Sequence, residues 1–525
     1  MTATSPASAM PPSGGYEVAA GPDASSPSGP GVTAAVDVGV VPGVGLPGAP
    51  DVALPGSPGV GLPGTPGLAV PVTPGVPLPA VPTIEREAAT DRRLSRRALC
   101  AVGGLVGSGA VIAVAAAHTE SLLPESIRPV QASLAGAFGS VFLNLHVGGT
   151  IAALVLMFVS YAAVVALAGQ LSARAVLIAI LAVHAVVLLA PPLASTDIFS
   201  YQAYARMGAV YGTNPYTHGP YAINLDAVFP YVGAKWAYIP SAYGPVFTVF
   251  SYLLAPLTIA TSAFAYKSIA AVASLALVAV VWRCARLRGN DPVKAAALVG
   301  LNPLLVIYGV GGGHNDLLMV LAMVGGVYAV LASRHRVGGG LSLLAIGVKL
   351  TAGLVLPFAL ADGGAKGHSE GSRSRLALGA AAGLAALAAL SFVVFGSGSF
   401  RMLGTVIRNQ GEKSDWLSIP GVITSKLGMP TVGHIAGYVL AGAFAITLCW
   451  LLRRVWRGQT DWIDGAGWAM LAMLVASSAL LPWYVCWLLP LAALGRDRRL
   501  ATTAIVLTGV VQGITLLGYI PHGLL

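Results

Sequence analysis

The chain has 525 residues, of which 56% are hydrophobic and only 10% are charged. Soluble domains carry about 25% charged residues, so this composition cannot cover a water-facing surface and excludes a soluble globular protein. The net charge of +10 comes mostly from loops between apolar segments, and we do not interpret it as nucleic-acid binding. The four cysteines are scattered without metal-ligand spacing.

The first 97 residues differ in composition from the rest of the chain. As far as residue 82 they are mostly Pro, Gly, Ala, Val and Ser with few charges. A segment of this kind buries too little apolar surface to order itself. We therefore predict a disordered cytoplasmic tail over residues 1–97 and a single transmembrane domain over residues 98–525.

Apolar runs of roughly 17–22 residues recur from residue 99 onward, and each can cross a hydrocarbon core of about 30 Å. The sequence thus predicts an all-α polytopic integral membrane protein with about 11–13 transmembrane helices and large outer loops. The predicted spans lie near 99–117, 147–167, 175–191, 268–282, 293–310, 317–332, 379–395, 433–452, 463–482 and 501–520.

Basic residues set the predicted orientation. Four arginines in the segment 92–97 precede the first span, and the positive-inside rule then keeps the N-terminus cytoplasmic. Two apolar segments do not fit simple crossings. We predict that 245–260 lies at, or dips into, the outer interface, and that 341–360, between two basic loops, forms a re-entrant pair of short helices.

The third predicted span leads into a polar, aromatic-rich loop at 195–220 that carries one early carboxylate, Asp197. By the count of spans, this loop lies outside the cytoplasm. A carboxylate at the mouth of a membrane helix favours a site for a polar ligand, because ionisable groups placed there are costly and usually face a cavity or a partner. The alternative is a helix cap or a surface acid.

A second candidate is the sequence GGGHND at 311–316, at the outer end of two spans. Three glycines let the backbone bend or approach a ligand closely, and they present His314, Asn315 and Asp316. The alternative is a tight turn in which Asn or Asp caps the next helix. Lys349 is a third unusual residue, either a snorkelling lysine or a phosphate contact.

Acids, bases and aromatic rings collect on the outer side of the predicted topology. Aromatic faces pack on the C–H surfaces of sugars, carboxylates accept hydrogen bonds from hydroxyls, and Arg or Lys pairs with phosphate. This combination suits a sugar-phosphate site. The alternative for each aromatic residue is the interfacial belt of membrane proteins.

Several motifs together resemble the actinobacterial polyprenyl-phosphomannose-dependent α-1,6-mannosyltransferases of the GT-C fold, most closely the MptB type. The resemblance covers residues 99 to the C-terminus. The motifs are DIFSY at 197–201, GTNPY at 212–216, YGP at 243–245, GGHND at 312–316 and PWYVCWLLP at 482–490.

The resemblance implies an enzyme that takes mannose from a polyprenyl phosphate at the outer face of the plasma membrane and passes it to a mannan or lipomannan acceptor, with inversion. It implies Asp197 as the general base and Asp316 as a residue that positions a hydroxyl or helps to bind a metal. A divalent metal is not required by these motifs, and we predict no cofactor. The candidate substrate-binding residues are Tyr201, Arg206, Asn214, Tyr216, Lys235, Tyr243, His314, Asn315, Asp316, Arg408, Trp483 and Tyr484.

Two features limit what the resemblance implies. The Asp197 loop is not the first outer loop of the whole chain, and related transferases for arabinose or glucose share the architecture. A multi-span transporter or a lipid-linked sugar flippase is the competing class, although transporters place charges near the bilayer midplane and contain matched repeats. A purely structural membrane protein would leave the one-sided polar residues unexplained.

Overall fold

The computed structural model describes residues 95–362, 370–412 and 417–519. The predicted tail lies outside these residues except for its last three positions, and the first helix already begins at Arg96. The described secondary structure is helical throughout, which confirms the all-α class.

Seventeen α-helices lie in the described residues. They are α1 Arg96–Ala115, α2 His146–Ala166, α3 Ala173–Leu189, α4 Asp197–Ala209, α5 Pro245–Tyr252, α6 Ile259–Arg288, α7 Pro292–Gly300, α8 Asp316–Leu331, α9 His335–Val348, α10 Leu356–Asp362, α11 Glu370–Phe395, α12 Arg401–Glu412, α13 Ile419–Gly421, α14 Pro430–Trp456, α15 Trp462–Ala476, α16 Leu489–Leu494 and α17 Arg498–Leu517. A π-helical segment at Leu304–Val310 follows α7, and a 3₁₀ helix at Pro482–Trp487 precedes α16.

Six of the described helices are long and apolar enough to cross a membrane, and a bent pair makes seven if it is one span. The six segments are Arg96–His118, His146–Ala166, Ile259–Arg288, Gly371–Val406, Pro430–Trp456 and Arg498–Leu517. Shorter apolar helices such as α3, α8 and α15 accompany them. The protein is therefore a multi-pass membrane protein.

The predicted span at 293–310 is not one continuous helix. Its two parts, α7 and Leu304–Val310, are bent by 49°. The break falls at Asn302 and Pro303, because proline has no N–H to continue the helix and the Asn302 side chain instead accepts from the backbone N–H groups of Leu304 and Leu305. The second half, Leu304–Val310, runs directly into the GGGHND turn.

The two segments that did not fit simple crossings, 245–260 and 341–360, contain short or interrupted helices. The eight-residue α5 has a length of about 12 Å, which is too short to cross a bilayer. The segment 341–360 is interrupted at Lys349, whose backbone is extended (φ −154°, ψ 129°) between α9 and a 3₁₀ turn at Leu350–Leu354. The interruption lets the Lys349 side chain leave the helix surface.

The segment after the third span is a helix where the sequence predicted a loop. Residues 197–209 form α4, and nine of its thirteen residues are buried. Its aromatic side chains are packed on several sides, so burial stabilises a helix whose polar composition is typical of a loop. The loop proper, which we call the α4–α5 loop, covers residues 210–244.

The segment 482–487 holds the first six residues of the PWYVCWLLP motif. α15 ends at Ala476, and Pro482–Trp487 is a 3₁₀ helix in which five of six residues are buried. The motif PWYVCW therefore lies in the core, and it contacts both α8 and α17.

Candidate functional site

Asp197 begins α4 at a point where two distant segments are joined. Its backbone N–H donates to the Ser195 hydroxyl oxygen (3.2 Å). Four residues before Asp197, the N–H of Leu193 donates to the carbonyl of Gly311 (3.0 Å). The second bond ties the approach to α4 to the GGGHND turn. Asp197 is thus held beside His314 although the two residues are far apart in sequence.

The GGGHND turn needs glycine for both conformation and space. Gly313 has a left-handed φ of +65°, which favours glycine, and a Cβ there would lie 2.8 Å from the Ile198 side chain of α4. The close approach brings the turn against the start of α4. His314, Asn315 and Asp316 follow immediately and are all buried.

Asp197 and His314 form the centre of the site. The Asp197 Oδ2 lies 3.6 Å from the His314 Nδ1, and 14% of the Asp197 side chain is exposed. Burial raises the pKa of Asp197 to about 6, against the opposing charges of Lys349 and Lys235. Burial and the charge of Lys349 hold the pKa of His314 well below its usual value, so the histidine is neutral and the carboxylate has no cationic partner in it.

Tyr201 joins the carboxylate to the turn. It lies one helical turn after Asp197, and its hydroxyl donates to the Asn315 side-chain oxygen (3.3 Å) and lies 3.5 Å from the His314 Nδ1. Its ring meets the Tyr243 ring edge to face at 4.8 Å. Burial and the nearby carboxylates of Asp197 and Asp316 raise the pKa of Tyr201 well above its usual value, so it stays a neutral hydrogen-bond donor.

Asp316 and Lys349 form a buried ion pair. The Lys349 Nζ donates to the Asp316 Oδ1 (2.8 Å), and the Trp487 Nε1 donates to the same oxygen (2.6 Å). The ammonium also lies over the rings of Tyr484 (4.5 Å) and Trp487 (5.0 Å). Desolvated cation–π contacts of this kind are worth about 2 kcal/mol, so the lysine is fixed by both charge and aromatic faces.

The PWYVCW helix forms one wall of the site. The Trp483 ring stacks on His314 at 3.7 Å, and Tyr484 stacks on Trp487 at 4.1 Å. We call the whole assembly the Asp197 cluster. It comprises Asp197, Tyr201, Tyr243, His314, Asn315, Asp316, Lys349, Trp483, Tyr484 and Trp487.

Four buried polar atoms of the Asp197 cluster have no hydrogen-bond partner among the described residues. They are the His314 Nε2, the Asn315 Nδ2, the Asp316 Oδ2 and the Trp483 Nε1. An unpaired buried polar group costs about 1–3 kcal/mol, and the great majority of such groups in native proteins are paired. The four atoms are an imidazole nitrogen, an amide nitrogen, an indole nitrogen and a carboxylate oxygen. Such a set of hydrogen-bonding groups in one cluster suits a ligand rich in hydroxyl groups.

Some of the predicted site residues make other contacts. Arg206, near the end of α4, pairs with Asp226 at 2.8 Å and donates to the Ala255 carbonyl. Asn214 donates to the Phe395 carbonyl, and the Tyr216 hydroxyl contacts the Tyr243 carbonyl and Thr248. These side chains hold the α4–α5 loop against its neighbours.

Of the two remaining predicted cations, Lys235 and Arg408, only the Lys235 side chain lies in the described part of the chain. Lys235 is exposed, lies over Trp236 at 5.2 Å and is near enough for its charge to lower the pKa of Asp197. The Arg408 side chain lies outside the described part of the chain. Within that part, no group of three or more His, Cys, Asp or Glu side chains could hold a metal ion.

The sequence did not single out Trp487 or the partner of Lys349. An apolar motif such as PWYVCW gives no sign of which indole N–H points at a carboxylate. Lys349 stands alone in an apolar run, GVKLTAG, and that isolation is the one signal that a buried acid must lie opposite it.

Comparison with known proteins identifies similar sequences over most of this region. Residues 101–362 match the family described as alpha-(1->6)-mannopyranosyltransferase, N-terminal domain, and residues 421–523 match the MptB C-terminal domain. The chain is 27% identical over 347 residues to alpha-(1->6)-mannopyranosyltransferase A of Mycobacterium tuberculosis, covering 61% of this chain. It is 31% identical over 377 residues to a protein of Mycolicibacterium smegmatis named probable alpha-(1->6)-mannopyranosyltransferase, covering 62% of this chain.

A corynebacterial protein, alpha-(1->6)-mannopyranosyltransferase B of Corynebacterium glutamicum, is 27% identical over 352 residues, or 58% of this chain. The matches span 66% of the M. tuberculosis protein, 67% of the M. smegmatis protein and 56% of the corynebacterial protein. No solved structure matches this chain.

Proposed function

Because the chain belongs to the alpha-(1->6)-mannopyranosyltransferase family, we propose that it transfers mannose from polyprenyl phosphomannose to an α-1,6-mannan or lipomannan-type acceptor, with Asp197 as the general base. The observation that carries this proposal is the Asp197 carboxylate itself. It has a pKa raised to about 6, it is partly open, and it lies among buried polar atoms that lack partners.

The acceptor hydroxyl attacks the anomeric carbon while the bond from that carbon to the phosphate oxygen breaks. The hydroxyl proton passes to the Asp197 carboxylate, and the lipid phosphate leaves with the bonding electron pair, so the anomeric centre inverts. An alcohol is far too weak an acid to be deprotonated fully beforehand. The proton therefore moves late, and a raised carboxylate pKa favours that transfer.

The leaving phosphate needs positive charge close to Asp197. Arg206 pairs with Asp226 near the other end of α4, whereas the positive charges of Lys349 and Lys235 both lower the pKa of Asp197. Lys349 is fixed in place by Asp316 and two rings, so it offers a preorganised charge of the kind that stabilises a developing anion. Lys235, on a solvent-exposed loop, is the second phosphate candidate.

Hydroxyl recognition falls to the polar atoms of the cluster that lack partners among the described residues. The Asn315 Nδ2 and the Trp483 Nε1 can donate to sugar oxygens, and the Asp316 Oδ2 can accept from a sugar hydroxyl. The faces of Tyr243 and Tyr484 supply apolar surface for the sugar ring. We place this site at the outer face of the plasma membrane, with a cytoplasmic N-terminus, on the positive-inside distribution of arginines.

The test is transfer of labelled mannose from polyprenyl phosphomannose to a short α-1,6-mannoside by the purified protein in proteoliposomes. The proposal predicts a lengthened mannoside whose new linkage is cleaved by an α-1,6-specific mannosidase. Movement of labelled lipid between leaflets without a new glycosidic bond would instead identify a flippase or transporter. Transfer of arabinose but not mannose would leave the chemistry and change the sugar.

A further inference from the structure

The α4–α5 loop carries an exposed pair of tyrosines, Tyr221 and Tyr238, which we call the tyrosine pair. Their rings lie 4.7 Å apart at 31°, and they are 47% and 70% exposed. Burial of aromatic rings is favourable, so a pair of rings in contact with each other yet open to solvent is a surface that can gain from a ligand.

The backbone fixes the tyrosine pair. The N–H of Tyr221 donates to the Ala237 carbonyl (2.7 Å), and a Cβ at Gly219 would lie 2.4 Å from the Tyr238 backbone. The two segments 217–221 and 237–240 therefore run in direct contact. Because the main chains are held together, the ring arrangement is preorganised and binding would cost little ordering entropy.

The same two segments line a cleft of about 300 Å³. Its lining residues are Tyr216, Thr217, Pro240, Arg401 and Gly404. The cleft is lined mainly by apolar surface and adds the exposed guanidinium group of Arg401. Aromatic rings, an apolar cleft and one guanidinium group together suit a sugar chain, whose rings present C–H faces and hydroxyl edges.

The loop that carries the tyrosine pair packs against the start of α4. Gly233 packs so closely on Thr196, the residue before Asp197, that a Cβ there would lie 2.7 Å from the Thr196 hydroxyl oxygen. Tyr238 follows Gly233 by five residues. Lys235 lies between them, and its positive charge lowers the pKa of Asp197. Residues 233–238 of the loop therefore connect the start of α4 to the tyrosine pair.

We propose that the tyrosine pair and the adjoining cleft bind the part of a saccharide acceptor chain that extends beyond the reacting sugar, so that the protein favours long acceptors over short ones. This inference rests on the proposed function for the nature of the acceptor. The rival occupant is the bilayer interface, where tyrosines are also enriched. A bilayer contact would be indifferent to the length of the acceptor.

The test compares kcat/KM for a short and a long α-1,6-oligomannoside in wild type, Tyr238→Ala and Tyr221→Ala. The loss of one aromatic ring that stacks on a sugar corresponds to about a tenfold change in acceptor affinity. We expect KM for the long acceptor to rise about tenfold in each variant and KM for the short acceptor to stay the same. Tyr238→Phe keeps the ring and should retain most of the preference.

Tyr438→Ala is the matched control, because it removes a tyrosine that is 81% exposed on a candidate membrane span, α14. If Tyr238→Ala and Tyr438→Ala change both acceptors equally, the tyrosine pair is a bilayer contact and the inference is overturned. Unchanged KM values in the Tyr238 and Tyr221 variants would overturn it as well.

Direct binding separates this inference from the proposed chemistry. Binding of the long oligomannoside without donor should be tighter than binding of the short one, in wild type and in Asp197→Asn alike. If the length preference in binding is present but no product forms, the surface stands and the transferase proposal fails. If product forms without any length preference, the transferase proposal stands and the surface does not.

Discussion

The two ends of α4 hold carboxylate sites of opposite character. At its beginning, Asp197 faces a neutral histidine at 3.6 Å. Near its end, Arg206 pairs with Asp226 at 2.8 Å, and Asp226 also accepts from the Tyr211 hydroxyl (2.7 Å) and the Val228 N–H (2.8 Å). The first carboxylate is open to a ligand, and the second is occupied by its own loop.

The difference shows how to separate functional charges from structural ones. The sequence made Asp197 and Arg206 candidate site residues, and their contacts in the structure distinguish them. A carboxylate whose oxygens are already bonded contributes to the fold of the loop. One that is partly buried and lacks a cation carries a raised pKa, which is the state expected of a base. Each prediction below acts on one side of this contrast.

The largest expected effect is that of Asp197→Asn on catalysis. General-base catalysis contributes about 10²–10⁴-fold, so kcat for mannose transfer should fall by that factor while KM for the acceptor changes little. The amide keeps the size of the carboxylate, and the backbone N–H of residue 197 still donates to the Ser195 hydroxyl oxygen. Steady-state kinetics at saturating donor measures both constants, and a variant with wild-type kcat would remove Asp197 from the chemistry.

Lys349→Met should have the largest effect on stability. Removing one partner of a buried ion pair costs about 3–5 kcal/mol, because Asp316 is left charged and only 1% exposed. Thermal unfolding in detergent measures the loss. Lys235→Met is the matched control, since it removes an exposed cation near the same cluster and should leave the unfolding temperature unchanged. Equal unfolding temperatures for both variants would contradict the ion-pair assignment.

Asp226→Asn should give a smaller loss of stability, about 1–2 kcal/mol, because hydrogen bonds to a charged group are weakened rather than left without an acceptor. Arg206 is 25% exposed, so water replaces part of the lost interaction. Transfer by the folded variant should stay within about twofold of wild type, measured well below its unfolding temperature. A large loss of transfer without a loss of stability would move Arg206 back among the substrate-binding residues.

The smallest effect is that of pH on the wild-type rate. With a pKa of about 6 for Asp197, the rate should fall about twofold from pH 7 to pH 6 and about tenfold by pH 5, as the base takes up a proton. Stability should respond with the opposite sign. The folded state holds a proton that the unfolded chain, with an ordinary pKa near about 3.9, has released, so this contribution decreases as pH rises between about 4 and 6.

A pH profile of kcat/KM from 5 to 8 checks the fourth prediction. Asp226→Asn serves as the control, because it removes a carboxylate that pairs with Arg206 near the other end of α4. The pH profile of this variant should overlay that of the wild type. A flat wild-type profile would show that no group with a pKa near 6 limits the reaction.

The sequence predicted the kind of fold and most of the Asp197 cluster. The all-α membrane class follows from composition. The structure brings four of the predicted substrate-binding residues, His314, Asp316, Trp483 and Tyr484, into one cluster with Asp197, and their role in binding stays a prediction. These residues could be found because glycines, lone charges and aromatic clusters are unusual between apolar runs. The break at Asn302 and Pro303 was not predicted, because the apolar run 293–310 continues on both sides of it and predicts a single span.

Pairing could not be predicted in the same way. Arg206 and Asp226 are 20 positions apart across an irregular loop, and no periodicity relates them. The same holds for Lys349 with Asp316 and for Trp487, whose partner is 171 positions away. Local pattern gives the residue types in a site, whereas tertiary packing decides which charges are already satisfied. α4 itself is an example, because burial makes a helix of a segment with loop-like composition.

The most direct test of this account compares Asp197→Asn with Asp226→Asn in the same proteoliposomes. The same change is made at the start of α4 and at the loop carboxylate that pairs with Arg206 near the end of α4. Transfer of labelled mannose and the unfolding temperature are measured for both. The account predicts a crossed result, in which Asp197→Asn loses transfer and keeps its unfolding temperature while Asp226→Asn does the reverse. If both variants transfer mannose at similar rates, Asp197 is not the base and the central claim is wrong.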